Sequence, residues 1–268
     1  MSFSAEEREF LEIFRRQYFQ LLEPSQLQWP NADFLKQPHV QTWLFQEMFD
    51  RDSIQYSPPV RYHVRVLKQL VAKIEDAIDN PEEDEISDDL MSSLSLLLAS
   101  KLPSESESAQ AKAYVTYSFD GERAVTLLES RSVISSSGTT GLRTWEAALH
   151  LGAYLATDAG SALVRGKRIL ELGAGTGLLS ILCTKHLQAL HATATDGDEG
   201  VVDAIKSNVF LNGLDRFAST DSIVLRWGAN LNGSFYDDET TEGQYDVVLG
   251  ADVVSLTRSG LTGEKVLM

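Results

Sequence analysis

The chain has 268 residues, 43% hydrophobic and 23% charged, with a net charge of −16. That suffices for one large domain or two small ones of ordinary globular composition. So acidic a chain is not expected to bind nucleic acid through a broad basic surface, because phosphate contacts rest on Lys and Arg, while a basic protein partner stays open. No apolar run is long enough to span a bilayer, and the acidic start MSFSAEEREF lacks the basic and apolar regions of a signal peptide. The lone cysteine, Cys183, allows neither an internal disulfide nor a cysteine metal cluster, and within LLSILC it reads as an inert core thiol. The expectation is a monomeric cytoplasmic protein without a metal.

Residues 1–102 read as helical. Ser4 and Glu7 make a capping box, after which Phe10, Phe14 and Tyr18 recur every four residues until Pro24 stops the helix. A second helix starts near Pro38 with Trp43, Leu44, Met48 and Phe49 inward. Val60, Val64, Leu67, Val71, Ile74 and Ile78 alternate spacings of four and three and form one apolar stripe. A last helix over about Asp88 to Lys101 carries Leu90, Leu94, Leu97 and Leu98. The run IEDAIDNPEEDEISDD between these two reads as a solvated acidic loop, with a patch for a basic partner as the other reading. Small, polar and led by Pro103, PSESESAQ reads as a linker.

Asp120-Gly121 between AYVTYSF and ERAVTLLES predicts a β-hairpin. Gly138–Gly141 leads into a helix holding Trp145, Ala148, Leu149, Leu151 and Leu155. From Lys167 strand and helix alternate: RILELG, GLLSILCTKHL, HATATD, DEGVVDAIKSNVFLNG, then the strands SIVLRW and YDVVLGAD. Such alternation predicts a parallel, doubly wound α/β sheet with right-handed crossovers.

The stretch Glu171-Leu172-Gly173-Ala174-Gly175-Thr176-Gly177 follows a strand and opens a helix. Its glycines allow a tight turn and close approach of a ligand to bare backbone. Asp196 ends the next strand, 23 residues after Gly173, where a carboxylate accepts hydrogen bonds from ribose hydroxyls. A dinucleotide loop has its third glycine five residues after the first, and that position here is Leu178. Glu171 stands just before the loop and no basic residue lies within it, so the spacing favours the cationic S-adenosylmethionine (S-adenosyl-L-methionine) over NAD. Glycines serving only a tight turn remain the plainest alternative.

ILELGAGTGLLSI resembles motif I of class I S-adenosylmethionine-dependent methyltransferases. Together with TTGLRTWEAALHLGAYL, TDGDEGVVDAIKSNVFLNG, LRWG and VLGADVV, it resembles the seven-β-strand protein-lysine methyltransferases of family 16, most closely the branch that methylates translation elongation factor 2. The resemblance implies a Rossmann-like methyltransferase sheet. It implies cofactor contacts at Trp145, Gly173, Ala174, Gly175, Asp196, Trp227 and Ala251, to which the reading of the loop itself adds Glu171, and a lysine-positioning role for Asp252 in an Asp/Glu-x-x-Phe/Tyr motif. His150, His186 and His191 show no ligand spacing.

At the aromatic position of that motif stands Ser255, and the later residues depart from the pattern. Val-Ser can be encoded by a splice-donor sequence, so SLTRSGLTGEKVLM is expected to be non-designed sequence and the chain a truncated, weakly active or inactive form. The resemblance gives strand order 3-2-1-4, with the fourth strand an uncovered edge. The expected organisation is a helical domain over 1–102, a linker over 103–112, a methyltransferase domain with its leading hairpin over 113–254, and a tail over 255–268. The activity implied is methyl transfer from S-adenosylmethionine to a lysine of a protein, elongation factor 2. The alternatives are a catalytically dead protein-binding module and an NAD-dependent oxidoreductase.

Overall fold

Ser4 and Glu7 satisfy each other's backbone amides at 2.8 and 3.2 Å and so start helix α1, Ala5–Phe19. The structure, a computed structural model, describes residues 3–80, 82, 84–131, 140–216, 219–226 and 245–253. The inner face of α1 is Leu11, Phe14 and Tyr18, whereas Phe10, which recurs with Phe14 and Tyr18 every four residues, is 38% exposed. A straight helix turns 100° per residue, so a strict spacing of four drifts off the face that alternating three and four keeps. Asn31 caps the short helix α2, Ala32–Leu35. Helix α3, Pro38–Leu44, runs into a π-helical turn, Phe45–Phe49, which buries the adjacent Met48 and Phe49.

Four of the six residues of the predicted stripe, Val64, Leu67, Val71 and Ile74, are buried in α4, Val60–Ala77, whereas Val60 at its start is half-buried and Ile78 is the extended C-cap beyond its end. Helix α5, Asp88–Ala99, buries Leu90, Leu94 and Leu97 but leaves Leu98 exposed, one residue round the helix from the inner face. The segment read as linker contains a helix, α6, Glu105–Gln110. Its Ser104–Glu107 capping box repeats the device that starts α1 and outweighs a composition suited to a flexible chain.

Strands β1, Lys112–Phe119, and β2, Arg123–Ser130, pair antiparallel from Lys112–Ser130 to Phe119–Arg123. Asp120 and Gly121 turn the chain with φ of 46° and 91°. One face of this hairpin buries Val115, Tyr117, Phe119, Val125 and Leu127. Helix α1 packs on β1, and Tyr56 stacks near Tyr114 at 5.1 Å between ring centres.

Helix α7, Glu146–Leu155, begins one residue after Trp145, which is its N-cap in extended conformation rather than a residue on its face. Thr157 then caps a further short helix, α8, Asp158–Val164. Strands β3, Arg168–Leu172, β4, His191–Asp196, β5, Thr220–Val224, and β6, Val247–Gly250, form one sheet in the order β5-β4-β3-β6. All three pairings are parallel, and the order is the expected 3-2-1-4. Helix α9, Leu178–His186, links β3 to β4, and α10, Glu199–Leu211, links β4 to β5. Gly213, with φ of 71°, follows the end of α10.

The chain therefore leaves β3 to one side and returns to its other side at β6, so the strand order reverses beside β3. Cys183 is fully buried in α9, and burial pushes its thiol up, as an inert core residue requires. Among the described residues no helix is long and apolar enough to cross a membrane.

Candidate active site at the strand ends

Three neighbouring strands end at the reversal. Glu171 pairs with Ala194 and Leu172 with Gly250, so Gly173, Asp196 and Ala251 follow at the carboxyl ends of β3, β4 and β6. In open parallel sheets this crevice is where ligands bind. The sequence-predicted loop turns here. Gly173, Gly175 and Gly177 have φ of 61°, 55° and 82°, the left-handed region that a Cβ disfavours. A Cβ on Gly175 would lie 3.2 Å from the Gly141 carbonyl, so the 140–145 segment closes over the loop as tightly as glycine permits.

Asp196 is fixed from both sides. Its Oδ2 accepts the Gly175 amide and its Oδ1 the Asp198 amide, each at 3.2 Å. It remains partly exposed at the strand end, so lone pairs are left for a diol. Ala174 donates its amide to the Thr195 carbonyl at 2.8 Å and locks the loop to β4.

Glu171 is placed differently from a ligand-facing carboxylate. It is 3% exposed and accepts the Ser180 amide at 2.9 Å and the Ser180 hydroxyl at 2.5 Å, bridging β3 to the first turn of α9. Burial, aided by the Asp196 charge, raises its carboxyl to about 7, against the Ser180 hydrogen bonds that lower it.

Trp145 is 36% exposed, donates its indole N–H to the Thr140 carbonyl at 3.2 Å, and has the Arg143 guanidinium 6.0 Å from its ring centre. Ala251 is half-buried just past β6. Asp252 beside it is exposed with φ of 56°. Trp227 and the tail after Val253 lie outside the described residues.

Sequence reasoning missed a polar network beneath the loop. Glu129, 4% exposed, accepts hydrogen bonds from the Tyr117 and Thr144 hydroxyls, and Thr144 lies 2.7 Å from the Thr176 hydroxyl within the loop. Asn208 on α10 donates to the Thr176 carbonyl at 2.9 Å. The only sequence signal was that Thr144 sits inside GTTGLRTWEAAL.

The residues present fit S-adenosylmethionine. A glycine turn admits close approach, a half-exposed carboxylate at the second strand end suits a ribose, and the loop holds no cation to repel a sulfonium. A hollow of about 560 Å³ lined by Phe10, Trp29, Phe34 and the acids Glu6, Glu7 and Asp33 lies away from these groups. It has no glycine turn and no strand end, so the crevice beside β3 is the better candidate for a nucleoside. Among the described residues no cluster of His, Cys, Asp or Glu could hold a metal ion.

Comparison with known proteins points the same way. The lysine methyltransferase family matches residues 131–267, a range that does not stop at Val254. Protein-lysine N-methyltransferase EFM3 of Chaetomium thermophilum is 45% identical over 243 residues, covering 88% of this chain and 71% of that protein. EFM3 of Saccharomyces cerevisiae is 34% identical, covering 65% of this chain and 52% of that protein. Protein-lysine N-methyltransferase EEF2KMT of Homo sapiens is 30% identical, covering 75% of this chain and 58% of that protein. The chain thus spans little more than half the length of the last two.

Proposed function

We propose, on the premise that the chain belongs to the lysine methyltransferase family, that its crevice beside β3 binds S-adenosylmethionine and directs methyl transfer to a lysine of translation elongation factor 2. The observation that carries this reading is the 45% identity to a protein-lysine N-methyltransferase over a span that includes most of the chain. The convergence of Gly173, Asp196 and Ala251 at neighbouring strand ends supports it. The elongation-factor substrate rests on the earlier sequence resemblance and on the relative named EEF2KMT.

S-adenosylmethionine, when bound, supplies an electrophilic methyl on a sulfonium. The chain's own contribution is placement. Asp196 accepts the ribose hydroxyls while its two backbone donors hold it still, the glycine turn admits the amino-acid portion, and Trp145 covers one side. Trp227 is assigned to the adenine. Asp252 orients the lysine amine toward the methyl. The lysine reacts as the neutral amine, its ammonium proton having passed to water, and in-line alignment with desolvation of that amine then accounts for the rate.

Calorimetry should show binding of S-adenosylmethionine and its demethylated product, S-adenosylhomocysteine, but not NAD. Asp196→Ala should weaken binding by about 1–3 kcal/mol, the cost of losing a hydrogen-bonded, partly buried partner. Transfer of labelled methyl to purified elongation factor 2 checks the reaction. NAD binding alone overturns the reading, and cofactor binding without transfer assigns the chain to the non-catalytic binding class.

A further inference from the structure

Four elements are joined under the glycine loop by a closed set of hydrogen bonds. From β2, Glu129 accepts the Thr144 hydroxyl at 2.5 Å, the Thr144 amide at 3.3 Å and the Tyr117 hydroxyl at 3.2 Å. Thr144 meets Thr176 of the loop at 2.7 Å. Thr176 takes the Asn208 side-chain N–H at its carbonyl, and Asn208 in turn accepts the Leu128 amide of β2 at 2.8 Å. The circuit runs from the hairpin through the 140–145 segment and the loop to α10, and back to the hairpin. A second bond, from the Ser130 amide to the Leu142 carbonyl at 2.8 Å, holds the same segment to β2.

A hydroxyl carries one proton, and that fixes the direction of the chain. Thr144 donates to Glu129, so Thr176 must donate to Thr144. Glu129 is therefore the terminal acceptor that sets the orientation of both hydroxyls. The next residue after Thr144 is Trp145, and Gly141 at the other end of the segment is the backbone that presses on Gly175. Displacing Thr144 would move both the cover of the crevice and its floor.

We propose that Glu129 is a positioning residue for cofactor binding, which through Thr144 and Thr176 holds the 140–145 segment against the glycine loop. This rests on the methyltransferase reading above. Glu129 touches no reacting atom. Its burial without an opposite charge in hydrogen-bonding contact is costly for a carboxylate, and a residue serving packing alone would be replaced at lower cost by an apolar one.

The test compares the native chain with Glu129→Gln, Thr144→Val, Thr144→Ser, Thr176→Val and the Thr144→Val/Thr176→Val pair. S-adenosylmethionine affinity is measured by calorimetry and the melting temperature by circular dichroism. Thr176→Val removes the Thr176–Thr144 bond and should weaken binding about tenfold. Thr144→Val removes that bond and the bond to Glu129 and should weaken it at least as much, and the pair should cost no more than Thr144→Val alone, because the link lost at Thr176 is already broken there. Thr144→Ser keeps the hydroxyl and should restore affinity to within about twofold. Glu129→Gln puts an amide donor where the Thr144 proton points and should weaken binding at an unchanged melting temperature. If the native chain binds no S-adenosylmethionine, the methyltransferase reading falls and this proposal with it. Native binding with unchanged affinity in every variant overturns the brace alone. Affinity lost only in proportion to melting temperature, without rescue by Thr144→Ser, also overturns it, because the bonds then serve only the fold.

Discussion

Glu171 shows how one residue can be found from sequence and still be placed unexpectedly. Its position before the glycine loop suggested a carboxylate open to a cation, but the structure buries it against Ser180. The folded-state value of about 7 lies above the ordinary 4.5. A raised carboxyl binds a proton more tightly in the folded state, so its stabilising contribution is complete below the unfolded value and lost as pH rises through the folded one. Between about pH 4.5 and 7 the chain should lose on the order of 3 kcal/mol of stability from this group. Glu171→Gln keeps an acceptor for Ser180 and removes the titration. Urea midpoints of the native chain should therefore fall across that window relative to Glu171→Gln, and equal pH slopes for the two proteins would exclude the effect.

Among the elements, the hairpin connects the two halves of the molecule. Among the described residues its strand β2 pairs with β1 alone, and asparagines of α10 bond to its other edge. Asn212 accepts the Thr126 amide at 3.3 Å and donates to the Thr126 carbonyl at 2.7 Å, while Asn208 takes the Leu128 amide. Toward β2 the Asn212 side chain offers an acceptor beside a donor N–H as a neighbouring strand would, its second N–H going to the Asn208 carbonyl, and this covers an edge otherwise open to aggregation. Asn212→Ala should destabilise the chain by about 1–3 kcal/mol and speed exchange of the Thr126 amide, measured by denaturant titration and hydrogen exchange. Local signals made most elements legible beforehand. The stripe from Val64 to Ile74 needs only helical spacing, and the strand order follows from strand–helix alternation together with the family resemblance. Helices α2 and α8 are too short for periodicity to register. Glu129, Thr144, Thr176 and Asn208 were invisible for a different reason: their partnership crosses 15 residues of sequence at its shortest link and 32 at the others, and nothing in the chain marks which threonine a buried glutamate will meet.

In the whole molecule, one buried apolar cluster extends from Leu11 in α1 through Val115 and Leu127 of the hairpin to Leu178 in α9 and Leu249 in β6. The helical region and the methyltransferase sheet are thus not packed as separate cores, although the sequence divides at 103–112 by composition. A shared core predicts a single cooperative melting transition by calorimetry, whereas two resolved transitions would show that the helices fold independently. The same continuity lets a small molecule be felt at a distance. A nucleoside held at Asp196 that is present at about a hundredfold over its dissociation constant adds about 2.7 kcal/mol to the cost of global opening. If every part of the core opens only with the rest, the slowest-exchanging amides of α1 gain the same protection as those of β4, although no atom of α1 belongs to the crevice. The N-terminal helices would then serve as a remote gauge of cofactor occupancy.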